Sequence, residues 1–539
     1  MLRKPPFPQT APSGWWTTRR FAIILVLLAL VPLLLPSMPP LIDLPGHLGR
    51  YRVQLDLGTS DYLWRYFDFR WAVMGNLGVD LLVEALAPLL GLEPALKLVV
   101  LSIPATTVLG LLLIAREVHG RVPPTAIFAL PLAYCFPVQF GFINFALSMG
   151  WALTAFGFWL RFARLGRLRL RAALFVPVGA AIWLAHGFGW GVLGLLAFSA
   201  EIVRARAAGR RIIPAVFHAA IQCLPLAPPV LLMVVWRSDG SGGTGDWVNW
   251  QAKLLWLGSI LRERWMIYDL VSASILFLLI IAAAAGYRIG MNMTLGVAAL
   301  ILFAAYWALP RVLFGSAYAD MRLAPYVVAI ALVALTPGDL KRRGLNLLAV
   351  AGTGFFLLRI LTGTINAYDY GRAVDHQLEA LDHVPRGSRV LALIEKTCGM
   401  PWALSRMDHL GGYATARREA FVNDQWEMPG AQLLRVIYRE GGRNFTSDPT
   451  ELIRAPGCRF RSRLSLDEAL NEFPRNAFDY VWMMDLPDWR WPEDPADLVK
   501  VWDGGAGSSG VLYRVVPGKP GSATTASETP NGKDPRPTQ

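Results

Sequence analysis

The sequence predicts a mainly α-helical polytopic membrane protein, with about eleven transmembrane helices and a C-terminal extracytoplasmic α/β domain. Its composition is 54% hydrophobic and 17% charged, whereas soluble domains carry about a quarter charged residues. Apolar runs of membrane-spanning length alternate with short arginine-rich loops. From residue 367 onward the composition is globular. These three observations together predict a bundle followed by a folded tail.

The first apolar run, Phe21 to Pro36, carries no charge and directly follows Arg19 and Arg20. Basic residues preferentially remain on the cytoplasmic side of a span, so we expect a cytoplasmic N-terminus. No small-residue cleavage site follows the run, which predicts a retained span. We assign residues 1–20 to a cytoplasmic tail and residues 21–366 to a transmembrane domain, with the first outer loop at 37–76.

The later spans are placed by the arginine clusters that end them. The stretch from Ala172 to Val203 is too long for one span, and arginines lie at both of its ends, so it predicts a hairpin with its tip at His186. Leu77 to Leu90 is a candidate for an additional membrane-embedded helix. An odd number of spans places everything after Tyr368 outside the cytoplasm. We therefore expect a multi-pass protein of the bacterial inner membrane whose C-terminal domain is periplasmic.

Residues 367–517 predict the periplasmic α/β domain. Its strands are expected at Ser388 to Ile394, Phe478 to Met484 and Gly510 to Val516, and its helices at Ala431 to Tyr438 and Leu466 to Phe473. Cys398 and Cys458 are a candidate disulfide pair if the compartment is oxidising. Residues 518–539 are rich in Gly, Ser, Thr, Pro and Lys, a composition that predicts disorder.

The strongest candidate site lies where the first span ends, at Asp43-Leu44-Pro45-Gly46-His47. Charged groups beside lipid are costly and generally functional. A helix opened by Asp43 and Pro45 would place His47 and Arg50 along one side, with Arg52 close by. A base beside a cation suits deprotonation of a hydroxyl next to a phosphate leaving group. The alternative is that Asp43 only caps the helix and His47 only lies at the interface.

A second polar segment, Tyr318 to Arg322, lies between two spans on the same outer face, with Arg311 nearby. Asp320 and Arg322 are candidate binding residues, and an interfacial salt bridge is the alternative. We expect this segment and the Asp43 segment to meet over one cavity, because a base and a phosphate clamp must reach the same substrate. His186 is a further candidate binding residue, with a packed core histidine as its alternative.

Aromatic residues recur in two outer loops, at 62–71 and 247–265. Sugar rings stack on such side chains, but anchoring at the lipid headgroups is the commoner cause. For the second loop we predict a helix lying on the membrane surface. The net charge of +13 comes largely from arginines in short loops. Because those arginines set membrane orientation, we expect no nucleic-acid partner.

The first span, the acidic outer loop that follows it, about ten further spans and the extracytoplasmic tail together resemble the GT-C superfamily of membrane glycosyltransferases. The chain also looks like bacterial membrane proteins of GT-C-like fold whose first loop starts with Asp-x-Pro-x-His. The resemblance implies a polyprenyl-phosphate-linked sugar as donor and an extracytoplasmic glycan, lipid or protein as acceptor. It also implies that Asp43 is the catalytic base or a metal ligand.

The resemblance leaves open a divalent metal, Mg or Mn, and fixes no metal ligands. Two other functional classes remain. A lipid or glycan flippase or transporter would carry ionisable residues deep in its spans and would consist of two related halves. The apolar runs of this sequence carry no ionisable residues near their centres, and no second half is recognisable. A non-catalytic scaffold of cell-envelope assembly would keep the fold and not need Asp43. Substitution of Asp43 separates the scaffold from an enzyme.

Overall fold

The computed structural model describes residues 13–235, 243–313, 316–338, 340–399, 401–428, 430–446, 450–458, 463–492, 497–505 and 507–516. The predicted disordered tail at 518–539 lies outside these residues. The helices are α1 (Arg19–Leu28), α2 (Val31–Leu34), α3 (Leu44–Asp56), α4 (Gly78–Leu90), α5 (Leu92–His119), α6 (Phe136–Phe140), α7 (Ile143–Arg164), α8 (Leu168–Ala185), α9 (Gly187–Ala207), α10 (Ile212–Cys223), α11 (Pro229–Val235), α12 (Trp250–Gly258), α13 (Met266–Ala284), α14 (Met293–Ala308), α15 (Ala319–Ala334), α16 (Arg342–Leu378), α17 (Gly412–Arg418) and α18 (Leu466–Glu472).

The strands are short and lie mostly in the C-terminal part of the chain. They are β1 (Phe67–Phe69), β2 (Gly290–Met291), β3 (Leu335–Thr336), β4 (Arg389–Lys396), β5 (Phe421–Val422), β6 (Leu434–Val436), β7 (Leu452–Arg454), β8 (Tyr480–Met484), β9 (Leu498–Asp503) and β10 (Val511–Val515). The fold is therefore a helical bundle with a C-terminal α/β domain, as the sequence predicts.

Six helices of the described residues are long and apolar enough to cross a membrane. They are α5, α7, α8, α9, α13 and α16, the last continuing through a 3₁₀ turn to His383. Three shorter apolar helical segments, Pro124–Phe140, Ile212–Leu226 and Met293–Ala308, accompany them. A total of about eleven spans requires such shorter segments to cross as well, and stays a prediction.

The first apolar run does not form one helix. It divides into α1 and α2, and Pro32 lies in the first turn of α2. Proline lacks an N–H and clashes with the carbonyl four residues before it, so a continuous helix cannot pass this position undisturbed. Pro131 similarly lies in a fully buried segment, Pro124–Tyr134, that forms a 3₁₀ helix in place of an α-helix.

The predicted hairpin between residues 172 and 203 is confirmed. Helices α8 and α9 meet at His186, whose extended backbone interrupts the helical hydrogen bonding. At the centre of the bundle, α5 packs against α7 more extensively than any other pair of helices in the described residues. The tip of the hairpin and the N-terminal end of α7 both lie at the end of the bundle that faces the C-terminal domain.

The C-terminal domain is built on one mixed sheet with strand order β5-β4-β8-β10-β9, in which β7 also pairs with β4. Strand β4 runs parallel to β5, β7 and β8, whereas β10 is antiparallel to β8 and β9. Strands β4, β8 and β10 and helix α18 confirm four sequence predictions. Cys398 and Cys458 form the expected disulfide.

The helix predicted at Ala431 to Tyr438 is wrong. Leu434–Val436 instead forms β6, which pairs antiparallel with β1 of the first outer loop. Phe67 of β1 is 1% exposed, and the Tyr66 hydroxyl donates a hydrogen bond to the Gly387 carbonyl at 2.6 Å. Tyr66 and Phe67 therefore join the core of the C-terminal domain, whereas Trp64 and Trp71 of the same loop are 57% and 48% exposed.

The C-terminal domain is joined to the bundle through α16, which continues without a break across the predicted boundary at residues 366 and 367. The tryptophan-rich segment 247–265 contains α12, so the predicted helix is present, and its place on a membrane surface stays a prediction. Trp250 on this helix is 57% exposed, but Trp256 is 3% exposed and packs edge-on against Tyr318. One face of α12 thus packs on the protein.

Candidate active site

Asp43 lies immediately before α3, with Pro45 in the first turn of that helix. Within the described segment 41–56, its side chain accepts no capping hydrogen bond from α3. The Asp43 backbone N–H donates to the Phe140 carbonyl at 3.0 Å. The carboxylate lines a cavity of about 740 Å³. Asp43 thus occupies the N-cap position of α3, and its carboxylate also forms part of the cavity wall.

His47 lies one helical turn after Asp43 and lines the same cavity. Its Nδ1 is buried and has no hydrogen-bond partner among the residues that the structure describes. Burial, followed by the charges of Arg50 and His409, lowers the pKa of His47 well below its ordinary value. A neutral imidazole has one donor and one acceptor nitrogen, so His47 adds to the cavity wall a polar group that carries no positive charge.

Arg50 continues the same wall of α3 and is 3% exposed. Both of its terminal nitrogens bond to Asp80, which is fully buried in the first turn of α4. The Asn144 side chain donates to Asp80 at 3.0 Å and accepts from the Val79 N–H at 2.6 Å. The Arg50 guanidinium is thus fixed by a buried carboxylate.

Sequence reasoning missed Asp80 and Asn144. The available signal was a carboxylate inside the apolar run from Leu77 to Leu90, which is costly unless it is paired.

Arg322, from the first turn of α15, also lines the cavity. Its Nη1 donates to the Ser316 hydroxyl at 3.0 Å, and its guanidinium lies 4.2 Å from the centre of the Phe142 ring. It interacts electrostatically with Asp43. Its Nε is buried without a partner among the described residues. The structure therefore brings the two predicted segments together over one cavity.

His186 also lines this cavity. Its Nδ1 accepts a hydrogen bond from the Phe188 N–H at 3.1 Å, which caps α9. Its ring packs edge-on against Phe145 at 5.8 Å. His186 is therefore packed against its neighbours, as the alternative states, and also forms part of the cavity wall.

Three predicted site residues do not line the cavity. The Arg52 Nε donates to the Ala416 carbonyl at 2.8 Å, and the guanidinium also pairs with Asp56. Arg311 lies 3.7 Å from Asp246, outside the cavity wall. Asp320 is fully buried and lies 3.6 Å from the Lys253 ammonium. Asp320 and Arg322 are only two positions apart, and side chains at that spacing leave a helix in different directions.

The cavity has two chemically different ends. Asp43, His47, Arg50, Asn144 and Arg322 form its polar part. The remaining wall is mainly apolar or aromatic and comes from α8, α9, α11, α14 and nearby loops, with Trp183, Phe188, Trp190, Val192, Leu195, Met233, Ala305, Leu309 and Leu313. Such a space suits a ligand with a long hydrocarbon part and an anionic head.

The C-terminal domain contributes to this wall through Trp426, Met428, Gly430, Ala431 and Gln432. The Trp426 ring lies 5.3 Å from the His47 ring. A Cβ on Gly46 would lie 2.2 Å from the indole, so only glycine permits this approach. Sequence reasoning missed this segment because it expected a helix from Ala431.

A divalent metal fits poorly at this site. Among the described residues no group of three or more His, Cys, Asp or Glu side chains lies together. Asp43 is the single carboxylate among the described residues of the cavity wall, and two guanidinium groups accompany it. Cations repel a divalent ion, and one carboxylate with one imidazole is a small ligand set for Mg or Mn.

Comparison with solved structures finds similarity to ArnT from Cupriavidus metallidurans in the apo state, at 14% identity and a TM-score of 0.46, over 92% of this chain and 96% of that one. The same protein bound to undecaprenyl phosphate gives 13% identity and a TM-score of 0.44 over the same shares. The apo oligosaccharyltransferase of Archaeoglobus fulgidus gives 13% and 0.37, over 75% of this chain and 65% of that one. No family model and no curated protein matches the sequence.

Proposed function

We propose that this protein is a membrane glycosyltransferase that moves a sugar from a polyprenyl-phosphate lipid to an extracytoplasmic glycan, lipid or protein. The observation that carries the proposal is the cavity that joins an apolar wall to a polar end with Asp43, His47, Arg50 and Arg322. A prenyl chain requires the apolar wall, and its phosphate requires a cation at the head. The resemblance of the sequence to the GT-C superfamily agrees with this assignment.

In the proposed reaction, Asp43 accepts the proton of an acceptor hydroxyl as that oxygen attacks the anomeric carbon of the donor sugar. The new carbon–oxygen bond forms while the bond from that carbon to the phosphate oxygen breaks. The lipid phosphate leaves as an anion beside Arg322, whose guanidinium stays charged and can donate two hydrogen bonds. The neutral His47 accepts a hydrogen bond from the acceptor and orients it.

Arg50 has a different proposed role, because Asp80 already occupies both of its terminal nitrogens. Its guanidinium lies in the cavity wall and would act on the phosphate as a fixed positive charge. We therefore assign the main phosphate contact to Arg322 and a supporting one to Arg50.

The proposal places the polar end of the cavity on the periplasmic side of a bacterial inner membrane. Two features support this orientation. Helices α7 and α9 line the cavity with their N-terminal ends and carry arginines in their last turns, as the positive-inside rule expects for cytoplasmic ends. The Cys398–Cys458 disulfide suits an oxidising compartment.

The experiment is sugar transfer in proteoliposomes that contain the full chain, a polyprenyl-phosphate-linked radiolabelled sugar and envelope extract as acceptor. Asp43→Asn should reduce product formation by about a hundredfold to ten-thousandfold, the usual cost of losing a general base. Asp61→Asn, in the exposed part of the same outer loop, is the matched control and should retain activity. Wild-type transfer by Asp43→Asn would remove the catalytic role and favour the scaffold alternative.

A further inference from the structure

A second set of buried contacts reaches Asp43 from the C-terminal domain, through residues that do not line the cavity. The segment 401–406 follows the disulfide residue Cys398 and lies against the bundle. Arg262 donates to the Pro401 carbonyl at 2.7 Å and to the Trp402 carbonyl at 2.9 Å. The Trp402 indole N–H donates to Asp269 at 2.8 Å. This segment is therefore attached to the outer end of the bundle.

Arg406 lies at the end of this segment and is 4% exposed. Its Nη1 donates to the Pro40 carbonyl at 2.9 Å and to the Gln139 carbonyl at 2.8 Å. Its Nη2 donates to the Gln139 side-chain oxygen at 3.0 Å. One guanidinium thus joins the turn that precedes α3 to the end of α6.

The two segments joined by Arg406 also determine where the Asp43 backbone lies. The Ile42 N–H donates to the Gln139 carbonyl at 3.4 Å, and the Asp43 N–H donates to the Phe140 carbonyl at 3.0 Å. Gly141 has φ +101°, and a Cβ there would lie 2.6 Å from the Asp43 nitrogen. The backbone of Asp43 therefore rests directly on the 139–141 turn.

We infer that Arg406 is a positioning residue that fixes the Asp43 carboxylate at the cavity from the C-terminal domain. A planar guanidinium can satisfy three acceptors on two segments at once, whereas a lysine ammonium lacks this fixed geometry. If Asp43 acts as a base, a displacement of about 1 Å can cost a hundredfold in rate. The C-terminal domain then completes the active site by holding its base, in addition to lining the cavity. The inference rests on the proposed function for its kinetic consequence only.

The test compares Arg406→Lys with Arg417→Lys in the full chain. Arg417 is the matched control, since it also joins the C-terminal domain to the bundle, through Glu93 at 2.8 and 3.0 Å, but does not touch the Asp43 segment. Hydrogen exchange of peptides covering 39–44 and 136–142 should accelerate about tenfold or more in Arg406→Lys and stay unchanged in Arg417→Lys. This readout does not depend on transferase activity.

Kinetics supply the second readout. Arg406→Lys should lower kcat about tenfold to a hundredfold with little change in KM for the donor, because the base moves while the phosphate contacts remain. Gln139→Met, which keeps the carbonyl contacts, should give smaller changes in the same direction and replaces Arg406→Lys if that variant does not fold. Unchanged exchange at 39–44 in a folded variant would overturn the inference. A wild-type protein without transferase activity would instead overturn only the proposed function.

Discussion

The guanidinium of Arg50 and the carboxylate of Asp80 form a buried ion pair beneath the polar end of the cavity, with side chains 3% and 0% exposed. Asp80 also accepts from Asn144, whose own oxygen binds the backbone at the start of α4. The pair thus couples α3, which carries the site, to α4 and α7. Its removal should affect both stability and the site.

Asp80→Asn should strongly destabilise the protein, because it leaves the Arg50 charge buried without its counter-ion. Breaking one partner of a buried pair typically costs about 3 to 5 kcal/mol. Thermal unfolding in detergent measures the loss. Asp68→Asn is the control, since its partner Arg70 is 83% exposed and such surface pairs contribute about 0 to 1 kcal/mol. Equal melting temperatures for the two variants would contradict this account of the pair.

Arg322→Ala should reduce the binding free energy of polyprenyl phosphate more than it reduces the free energy of unfolding. The reason is that Arg322 is proposed to bind the anionic head of the lipid. Hydrogen bonds to charged groups contribute about 1.5 to 3 kcal/mol, which corresponds to a rise in Kd of about tenfold or more. Arg311→Ala is the control, because Arg311 lies outside the cavity wall. Binding is measured by lipid-dependent thermal shift of the purified proteins. An equal loss in both variants would argue against a specific contact at Arg322.

The state of His47 predicts a pH dependence. The pKa of His47 in the folded protein is well below the ordinary value. Between that lowered pKa and about pH 6.5, the unfolded chain therefore binds a proton at His47 that the folded chain does not. This contribution to stability is fully present above about pH 6.5 and is lost as the pH falls toward the lowered pKa. His47→Gln should therefore show a smaller loss of stability between about pH 6.5 and pH 5 than wild type. Identical pH profiles of unfolding would show that His47 is not the group that titrates.

Topology is tested by fusing alkaline phosphatase after Val516, which should give an active enzyme because that reporter requires an oxidising compartment to form its disulfides. A matched fusion after Arg167, in an arginine-rich loop, should be inactive. A stable but inactive fusion after Val516 would place the C-terminal domain in the cytoplasm. It would also separate the site from any periplasmic acceptor.

The sequence was sufficient for features that depend on local periodicity and charge. The hairpin at His186, strands β4, β8 and β10, and the meeting of Asp43 with Arg322 all followed from apolar runs, arginine-rich loops and the requirement of one shared substrate. The prediction at Ala431 to Tyr438 failed because pairing with β1, far away in the chain, decides that segment. Tertiary contacts of this kind override local pattern.

The composition of the site was less accessible. Arg52 and Asp320 belong to the two segments that line the cavity, but their side chains point to other partners. Arg52 donates to the Ala416 carbonyl, and Asp320 pairs with Lys253. Asp80 and Trp426 contact the predicted residues only because distant helices and the C-terminal domain fold onto α3. A sequence can indicate which charged residues lie near the ends of membrane spans. The partner of each charged residue depends on which distant segments pack against it.

The proposed function requires a lipid phosphate to bind in this cavity beside Arg322. The most direct measurement is an electron cryomicroscopy map of the full chain in nanodiscs with polyprenyl phosphate. We predict phosphate density in contact with the Arg322 guanidinium and prenyl density along the apolar wall formed by α9 and α14. Density for the lipid phosphate elsewhere on the protein, with this cavity empty at saturating lipid, would rule out the cavity as the donor site.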